Sequence, residues 1–183
     1  SGHKFHAVRG VGFVYKKAGK KITPLLTGGG QEKDFRSTTE NVAGIASMAK
    51  ALRLVTDKEE FSLPKIAKMK KIIFDELAKY EDITIFSGEG EDFAPNILTF
   101  GIKGVRGEVI VHAFEEHQIY ISTTSACSSK AGKPAGTLIS MGVPTKLAQT
   151  AVRISLDDDN DMGQVEQFLT IFKQVYAKTQ KVR

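Results

Sequence analysis

The chain has 183 residues, of which 41% are hydrophobic and 26% charged, with a formal net charge of +5. These proportions are typical of a soluble globular protein, and the longest apolar runs are far shorter than the roughly 20 residues that a membrane-spanning helix needs. The densest basic run, Lys68, Lys70 and Lys71, lies inside an apolar helical repeat. We therefore interpret it as a solvated helix face, and we predict no nucleic-acid-binding and no membrane-bound function.

The chain contains one cysteine, Cys127, which excludes an internal disulfide and any metal site built from paired cysteines. A single free thiol is typical of a reducing compartment, so we expect a cytoplasmic protein. The sequence opens at Ser1 without an initiator methionine. We therefore expect the chain to be part of a longer protein.

Two apolar segments near the start of the chain predict strands. Residues 11–15 (VGFVY) are rich in β-branched and aromatic side chains, which favours a buried strand. Residues 22–26 are a second candidate, which Pro24 would confine to the edge of a sheet. The lysine-rich stretch between them predicts a polar turn.

Two helices are predicted next. Three glycines at 28–30 open a loop that ends in Ser and Thr residues followed by Glu40, a pattern typical of a helix N-terminal cap. Apolar spacing then predicts one helix over residues 40–54 and another over 63–80. The inward face of the second helix carries Ile66, Met69, Ile73 and Leu77.

The remainder of the chain alternates strands and helices, which predicts an α/β or α+β class with a sheet layered against helices. Strands are predicted over residues 83–86, 96–102, 119–122 and 151–156. Helices are predicted over residues 107–117 and after the acidic turn 157–161, with Val165, Phe168, Leu169, Phe172 and Val175 facing inward in the last one.

Residues 123–135 have almost no large apolar side chains, which predicts a surface loop, and this loop carries Cys127. Its local surroundings leave open whether the thiol is reactive or an inert side chain. Arg153 alternates with apolar residues in its predicted strand, so it is either an edge residue facing water or a carboxylate clamp. Lys4 alone indicates only a surface charge.

The loop that follows the three glycines is a candidate anion-binding segment, because Arg36, Ser37, Thr38 and Thr39 supply donors. It lacks the terminal Gly-Lys-Ser/Thr of a Walker motif. A nucleotide-binding P-loop is therefore not predicted.

Taken in order, the motifs of the chain resemble those of the NifS/IscS-like cysteine desulfurases, which are fold-type I (aspartate aminotransferase-like) pyridoxal-phosphate enzymes. The resemblance covers essentially all of this chain and about the second half of a family member. The motifs that carry it are Ser1-Gly2-His3-Lys4-Phe5-His6, Gly28-Gly29-Gly30-Gln31-Glu32, Arg36-Ser37-Thr38-Thr39-Glu40-Asn41, Ser125-Ala126-Cys127 and Val152-Arg153-Ile154-Ser155-Leu156.

The resemblance implies a pyridoxal-phosphate site. Lys4 matches the lysine that binds the cofactor aldehyde, and Ser1 and His3 match residues that contact the cofactor phosphate. Thr39 matches a threonine that reaches the phosphate site of the partner subunit, which implies a homodimer.

The resemblance also implies the reaction, in which L-cysteine is converted to L-alanine. Arg153 matches the arginine that holds the substrate carboxylate. Cys127 matches the loop nucleophile that takes the sulfur as a persulfide and delivers it to a sulfur-acceptor protein, either an iron–sulfur scaffold or a thiolation enzyme.

In this family, residues 1–40 correspond to the end of the large cofactor-binding domain. Residues 41–183 correspond to the C-terminal small domain with a helical connector and a mobile cysteine loop. Other cofactor ligands belong to the half of the family fold that this chain does not match, so we expect the chain alone to be inactive.

The chain departs from the family pattern at several positions. Residues 7–9 are Ala-Val-Arg where the family commonly has Gly-Pro-Lys, and Thr38, Thr124 and Asp157 each stand where glycine is usual. Thr38 matters most, since only glycine enters positive φ freely. Two alternatives stay open: another class V aminotransferase-like enzyme that does not use the thiol, and a non-catalytic domain for dimerisation or acceptor docking.

Overall fold

The fold is described from a computed structural model, in which residues 1–90, 92–123 and 136–180 are placed well enough to describe. The chain divides into two compact units, Ser1–Glu60 and Phe61–Arg183, which are taken in turn below. The division falls inside one long helix, α1 (Val42–Leu77).

The first unit contains little regular structure before α1. Two short helical turns, Gly2–Phe5 and Gln31–Asp34, are the elements that precede it. The predicted strands over 11–15 and 22–26 are wrong, since both segments are irregular and their side chains are mostly exposed. A strand is stabilised by a hydrogen-bonded neighbour, and this unit contains no strand that could pair with them.

The α1 helix begins two residues later than predicted, and its cap differs from the expected one. The side-chain oxygen of Asn41 accepts a hydrogen bond from the Gly44 N–H at 3.0 Å, so Asn41 occupies the capping position in place of the Ser/Thr cluster. The two predicted helices are also one continuous element, which contains Pro64. Proline tends to interrupt helices because it lacks the N–H that bonds the preceding turn, which is why the sequence favoured two helices.

The second unit is built on a four-stranded antiparallel sheet with the order β1-β2-β4-β3. Its strands are β1 (Ile83–Ile85), β2 (Ile97–Ile102), β3 (Ser122–Thr123) and β4 (Ala151–Ser155). The predicted strands over 83–86, 96–102 and 151–156 are confirmed. Of the predicted strand over 119–122, only Ser122 lies in β3, so this prediction is largely wrong.

Helices cover one face of this sheet. They are α2 (Gly107–Glu115), α5 (Met162–Gln180) and the part of α1 that lies in this unit. Aromatic rings fill the space between them, with Phe114 stacked on Phe168 at 5.1 Å between ring centroids. The rings of Tyr80 and Phe172 meet edge to face at 5.3 Å. Such arrangements add to the burial of the rings themselves.

The terminal helix follows the sequence prediction closely. Asp161 accepts the Gln164 N–H at 2.9 Å, which caps α5 as the acidic turn indicated. The predicted inward side chains are buried, apart from Leu169, which is partly buried. Two short helices, α3 (Gly136–Ser140) and α4 (Thr145–Ala148), were not predicted. Together with the antiparallel sheet, these elements confirm the α+β form of the expected class.

Candidate functional site

The side chains at the start of the chain are presented by a short turn that the backbone holds in place. The Gly2 N–H donates to the Val11 carbonyl at 2.8 Å. Ser1, His3 and Lys4 are exposed on this turn, while Gly2 is buried beneath them. The three predicted cofactor-binding side chains of the turn therefore point into accessible space from an anchored backbone.

Close backbone packing explains why Gly2 is a glycine. A Cβ there would lie 3.0 Å from the Ala7 Cβ and 3.1 Å from the Val11 carbonyl oxygen. A Cβ on Gly12 would lie 3.3 Å from the Ser1 Cα. Side chains at these two glycines would push the turn away from residues 11–12, so the glycines determine where Lys4 lies.

The loop that contains Thr39 is held by its own hydrogen bonds. The buried Ser37 donates its N–H to the Leu26 carbonyl at 3.0 Å, and the Thr38 N–H donates to the Gln31 side chain at 3.2 Å. The Arg36 guanidinium donates to the Thr38 hydroxyl. Thr39, the last of the four predicted anion donors, is exposed.

Thr38 has a φ of 104°, in the region that favours glycine. A β-branched residue at positive φ is a genuine outlier, because its branched side chain crowds the backbone. The glycine that is usual in the family at this position is thus explained by the positive φ that the backbone adopts here. In this chain Thr38 adopts the same positive φ, and its backbone is strained as a result.

Arg153 lies on β4, a central strand of the sheet, which rules out the interpretation as an edge residue. Its cross-strand neighbours are Thr99 on β2 and Ser122 on β3. Val152 and Ile154, which point to the opposite face, are buried in the core. Arg153 therefore faces away from the core, between two hydroxyl-bearing residues that the sequence analysis did not single out.

The Nε atom of Arg153 is buried and has no hydrogen-bond partner among the described residues. A buried donor without a partner costs about 1–3 kcal/mol. A carboxylate is the acceptor that best matches a guanidinium, since it can take two parallel hydrogen bonds. A carboxylate acceptor placed there would remove this cost.

The basic run on α1 differs from its sequence interpretation at one residue. Lys68 and Lys71 are exposed, but Lys70 is only 6% exposed and donates to the Gly88 and Ala94 carbonyls at 3.1 and 2.9 Å. Desolvation by burial lowers the pKa of Lys70. The sequence contained a signal for this burial, since Lys70 lies on the same helix side as the predicted core residues.

The predicted site residues fall in different parts of the molecule. Ser1, His3 and Lys4 share one turn, and Thr39 lies in the same unit. Arg153 belongs to the second unit. Cys127 lies outside the described residues. The described ranges contain no cluster of three or more His, Cys, Asp or Glu residues that could bind a metal, and none of their helices is long and apolar enough to cross a membrane.

Comparison with known proteins gives consistent matches over the whole chain. The model of the family described as aminotransferase class-V matches residues 1–168. A NifS/IcsS protein homolog from Lactobacillus delbrueckii subsp. bulgaricus is 46% identical over 182 residues, which is 100% of this chain and 47% of that protein. The cysteine desulfurase IscS of Dictyoglomus turgidum is 35% identical over 156 residues, which is 85% of this chain and 40% of that protein.

Solved structures agree with these relatives. A NifS-like protein superposes with a TM-score of 0.79 at 30% identity and covers 97% of this chain and 45% of its own. A NifS-like protein from Rickettsia africae gives a TM-score of 0.73 at 32% identity, covering 86% of this chain and 41% of its own. The chain therefore spans about half the length of the relatives that it matches.

Proposed function

We propose, from the premise that this chain belongs to the aminotransferase class-V family, that it is the C-terminal half of a NifS/IscS-type cysteine desulfurase. One observation carries the proposal: the whole chain aligns at 46% identity with a relative described as a NifS/IcsS protein homolog. In this proposal residues 1–40 complete the large domain and residues 41–183 form the small one. The intact protein would convert L-cysteine to L-alanine and pass the sulfur on.

The residues of the N-terminal turn fit pyridoxal phosphate, the cofactor that the family implies. A hydroxyl and an imidazole, from Ser1 and His3, can donate hydrogen bonds to a phosphate, and the primary amine of Lys4 can react with an aldehyde. All three side chains are exposed on one anchored turn. When bound, the cofactor would supply an electron sink for the charge left at the substrate Cα.

Three side chains of this chain would act on the substrate. The Lys4 amine would take the proton from the Cα atom. Arg153 would hold the carboxylate in the geometry that exposes this C–H bond, and the unpaired Nε supports that role. The Cys127 thiolate would attack the substrate sulfur and form an S–S bond as the substrate Cβ–S bond breaks. The electron pair of the broken bond would stay on the three-carbon fragment, which would take up a proton and leave as alanine.

The position of β3 supports a common site for Arg153 and Cys127. Ser122 pairs with Arg153 in the sheet, and Cys127 follows Thr123 by four residues. In the proposal, the thiol reaches the substrate held by Arg153 from the segment that follows β3. From there it would deliver the persulfide to an acceptor, an iron–sulfur scaffold or a thiolation enzyme.

The proposal includes a cytoplasmic homodimer in which Thr39 contacts the cofactor phosphate of the partner subunit. The exposure of Thr39 supports this role, since a residue that serves another subunit must be accessible in its own. The chain alone is expected to be inactive, because half of the family fold is not matched. Mixing the purified chain with pyridoxal phosphate should give no new absorbance band, and a stoichiometric band that depends on Lys4 would contradict this.

A chimeric enzyme tests the proposed reaction. The half of the Lactobacillus delbrueckii relative that aligns with this chain is replaced by this chain, and alanine and enzyme-bound persulfide are measured with L-cysteine as substrate. Lys4→Ala should abolish both products, whereas Arg153→Lys should mainly raise KM because a lysine cannot bind the carboxylate at two points. Cys127→Ala should abolish the persulfide, with Ser128→Ala as the matched control.

The same experiment separates the alternatives. Alanine formation that is unaffected by Cys127→Ala would indicate another class V aminotransferase-like enzyme. A folded chimera that makes neither product would favour a non-catalytic dimerisation or docking domain.

A further inference from the structure

A polar row crosses the face of the sheet that is turned away from the main core. Thr99 on β2, Arg153 on β4 and Ser122 on β3 lie side by side in this row. The residues that alternate with them, Phe100 and Val152, are completely buried on the opposite face. The proposed reaction uses Arg153 and gives the two neighbouring hydroxyl groups no role.

Backbone bonding shows that Thr99 is the closer of the two neighbours. The Thr99 N–H donates to the Ser87 hydroxyl oxygen at 2.8 Å, and its carbonyl accepts the Phe86 N–H at 2.8 Å. Both backbone groups of Thr99 therefore point to the β1 side, away from Arg153. Thr99 and Arg153 thus form a non-hydrogen-bonded pair, in which the Cα atoms of an antiparallel sheet are about 4.5 Å apart, whereas the pair on the Ser122 side is wider, at about 5.5 Å.

The Thr99 hydroxyl is available to a ligand. Neither this hydroxyl nor the Arg153 Nε has a hydrogen-bond partner among residues 1–90, 92–123 and 136–180. A threonine that only supported the guanidinium would accept a hydrogen bond from it, and Thr99 does not. The two unpaired groups lie on adjacent strands at the closest cross-strand spacing, so one small anion can accept from both.

Apolar side chains border the pair on this face of the sheet. They form a second, smaller cluster that consists of Leu138, Ala148 and Ala151 with Phe86 and Val143 packed against them. Ala151 precedes Arg153 by two residues on the same face of β4, and Phe86 is bonded to the backbone of Thr99 on the other side. Hydrogen bonds are stronger in such surroundings than in water. A hydroxyl donor therefore contributes more to anion binding here than on an open surface.

We infer that the Thr99 hydroxyl donates a hydrogen bond to the substrate carboxylate that Arg153 holds, which makes Thr99 a further substrate-binding residue. Each carboxylate oxygen has two lone pairs, so it can accept from the guanidinium and from a hydroxyl at the same time. Arg153 supplies the charge and two parallel donors, and Thr99 adds a donor from the neighbouring strand. The inference rests on the proposed function for the identity of the substrate.

Calorimetric titration of the chimeric enzyme, loaded with pyridoxal phosphate, tests the inference. The two ligands are L-alanine, which has the carboxylate but no sulfur to transfer, and ethylamine, which is the same molecule without the carboxylate. Thr99→Val keeps the branched shape and removes the hydroxyl, so it should weaken L-alanine binding about fivefold and leave ethylamine binding unchanged. Thr99→Ser should restore the binding of L-alanine.

The matched control is Thr84→Val. Thr84 lies on the same face of the sheet, but it is paired with Gly101 and not with the arginine, so neither ligand should bind differently. An equal loss for L-alanine and ethylamine in Thr99→Val would indicate a structural role and overturn the inference, as would unchanged L-alanine binding. A chimera that binds L-alanine through Thr99 but makes no alanine from L-cysteine would overturn only the proposed reaction.

A second measurement uses the chain by itself, because Thr99 and Arg153 both belong to it. Sodium acetate should shift the NMR resonance of the Arg153 Nε–H in a saturable way. The acetate concentration at half-saturation should rise about threefold in Thr99→Val and stay unchanged in Thr84→Val. Absence of a saturable shift in the unmutated chain, or the same half-saturation in Thr99→Val, would overturn the inference whether or not the chimera is active.

Discussion

The two units of this chain differ in the size of their buried apolar cores. In the second unit Phe100, Phe114 and Phe172 are completely buried between the sheet and its helices. In the first unit Met48 is the largest buried side chain, and its neighbours in the core are alanines. Because burial of apolar area is the main favourable term in folding, the second unit has the larger source of stability and the first has a small core.

The largest expected effect comes from truncating the two cores. Phe172→Ala should lower the free energy of unfolding by about 3–5 kcal/mol, because the cavity lies between four other aromatic rings. Met48→Ala should cost no more than about 2 kcal/mol, at the lower end for such changes. Urea denaturation followed by circular dichroism measures both. Equal losses would contradict the difference between the units, and Phe13→Ala serves as the exposed control.

The next effect concerns the buried lysine of the second unit. Lys70→Met keeps the length of the side chain but leaves the Gly88 and Ala94 carbonyls without their donor, which should cost about 1–3 kcal/mol. Lys68→Met, on the exposed side of the same helix, should leave the unfolding midpoint unchanged. If Lys70→Met were stabilising, desolvation of the charge would outweigh its two hydrogen bonds.

Glu76 gives a pH-dependent contribution of smaller size. Its carboxylate accepts from Lys79 at 2.6 Å and lies 3.3 Å from the Lys173 ammonium. The hydrogen bond with Lys79 is the main cause that lowers the pKa of Glu76. Because the carboxyl pKa is lower in the folded chain than in the unfolded chain, the ionised carboxylate stabilises the fold when the pH is above the unfolded-state pKa. This contribution is lost as the pH falls through the folded-state pKa.

Glu76→Gln should therefore cost about 1 kcal/mol at neutral pH. The difference from the unmutated chain should begin to shrink as the pH falls below the ordinary glutamate pKa of about 4.3. It should disappear once the pH is below the lowered pKa of the folded chain. Denaturation curves over a pH series measure this, with Glu81→Gln as the exposed control. A difference that stayed constant into acid would show that packing and not charge is responsible.

The smallest effect is expected in the first unit. Thr38→Gly should relieve the strain of the positive φ and increase local stability by up to about 1 kcal/mol, less the hydrogen bond lost to Arg36. Amide exchange over residues 26–39 should slow. Thr27→Gly, at a position without positive φ, should have the opposite effect because glycine loses more backbone entropy on folding.

The strands that the sequence predicted correctly are those whose partners lie within the described part of the second unit. The pattern of α5 is explained by the sheet and helices that cover its apolar side. The VGFVY segment has the same apolar character but no neighbouring strand in its unit, so local propensity alone gave a wrong prediction there. An apolar sequence pattern indicates that a segment is suited to burial, but it does not indicate which element packs against that segment.

The candidate site shows the same limit. Ser1, His3 and Lys4 are adjacent in the sequence, so their sharing of one turn could be predicted. The central position of Arg153 could not, because it results from pairing with Thr99 and Ser122, which are far away along the chain. The prediction that Lys70 is solvated is wrong, because its position on the apolar side of the helix determines its burial more than its charge does.

The short outer strands of the sheet have a consequence for handling the isolated chain. Among the residues that the structure describes, strands β1 and β3 have three and two residues, whereas fibril-forming segments are typically six or seven residues long. Short edges are also a common natural protection against the addition of foreign strands. These described edges should therefore resist fibril growth, and any precipitation during purification should start from exposed apolar side chains such as Val14, Tyr15 and Leu25.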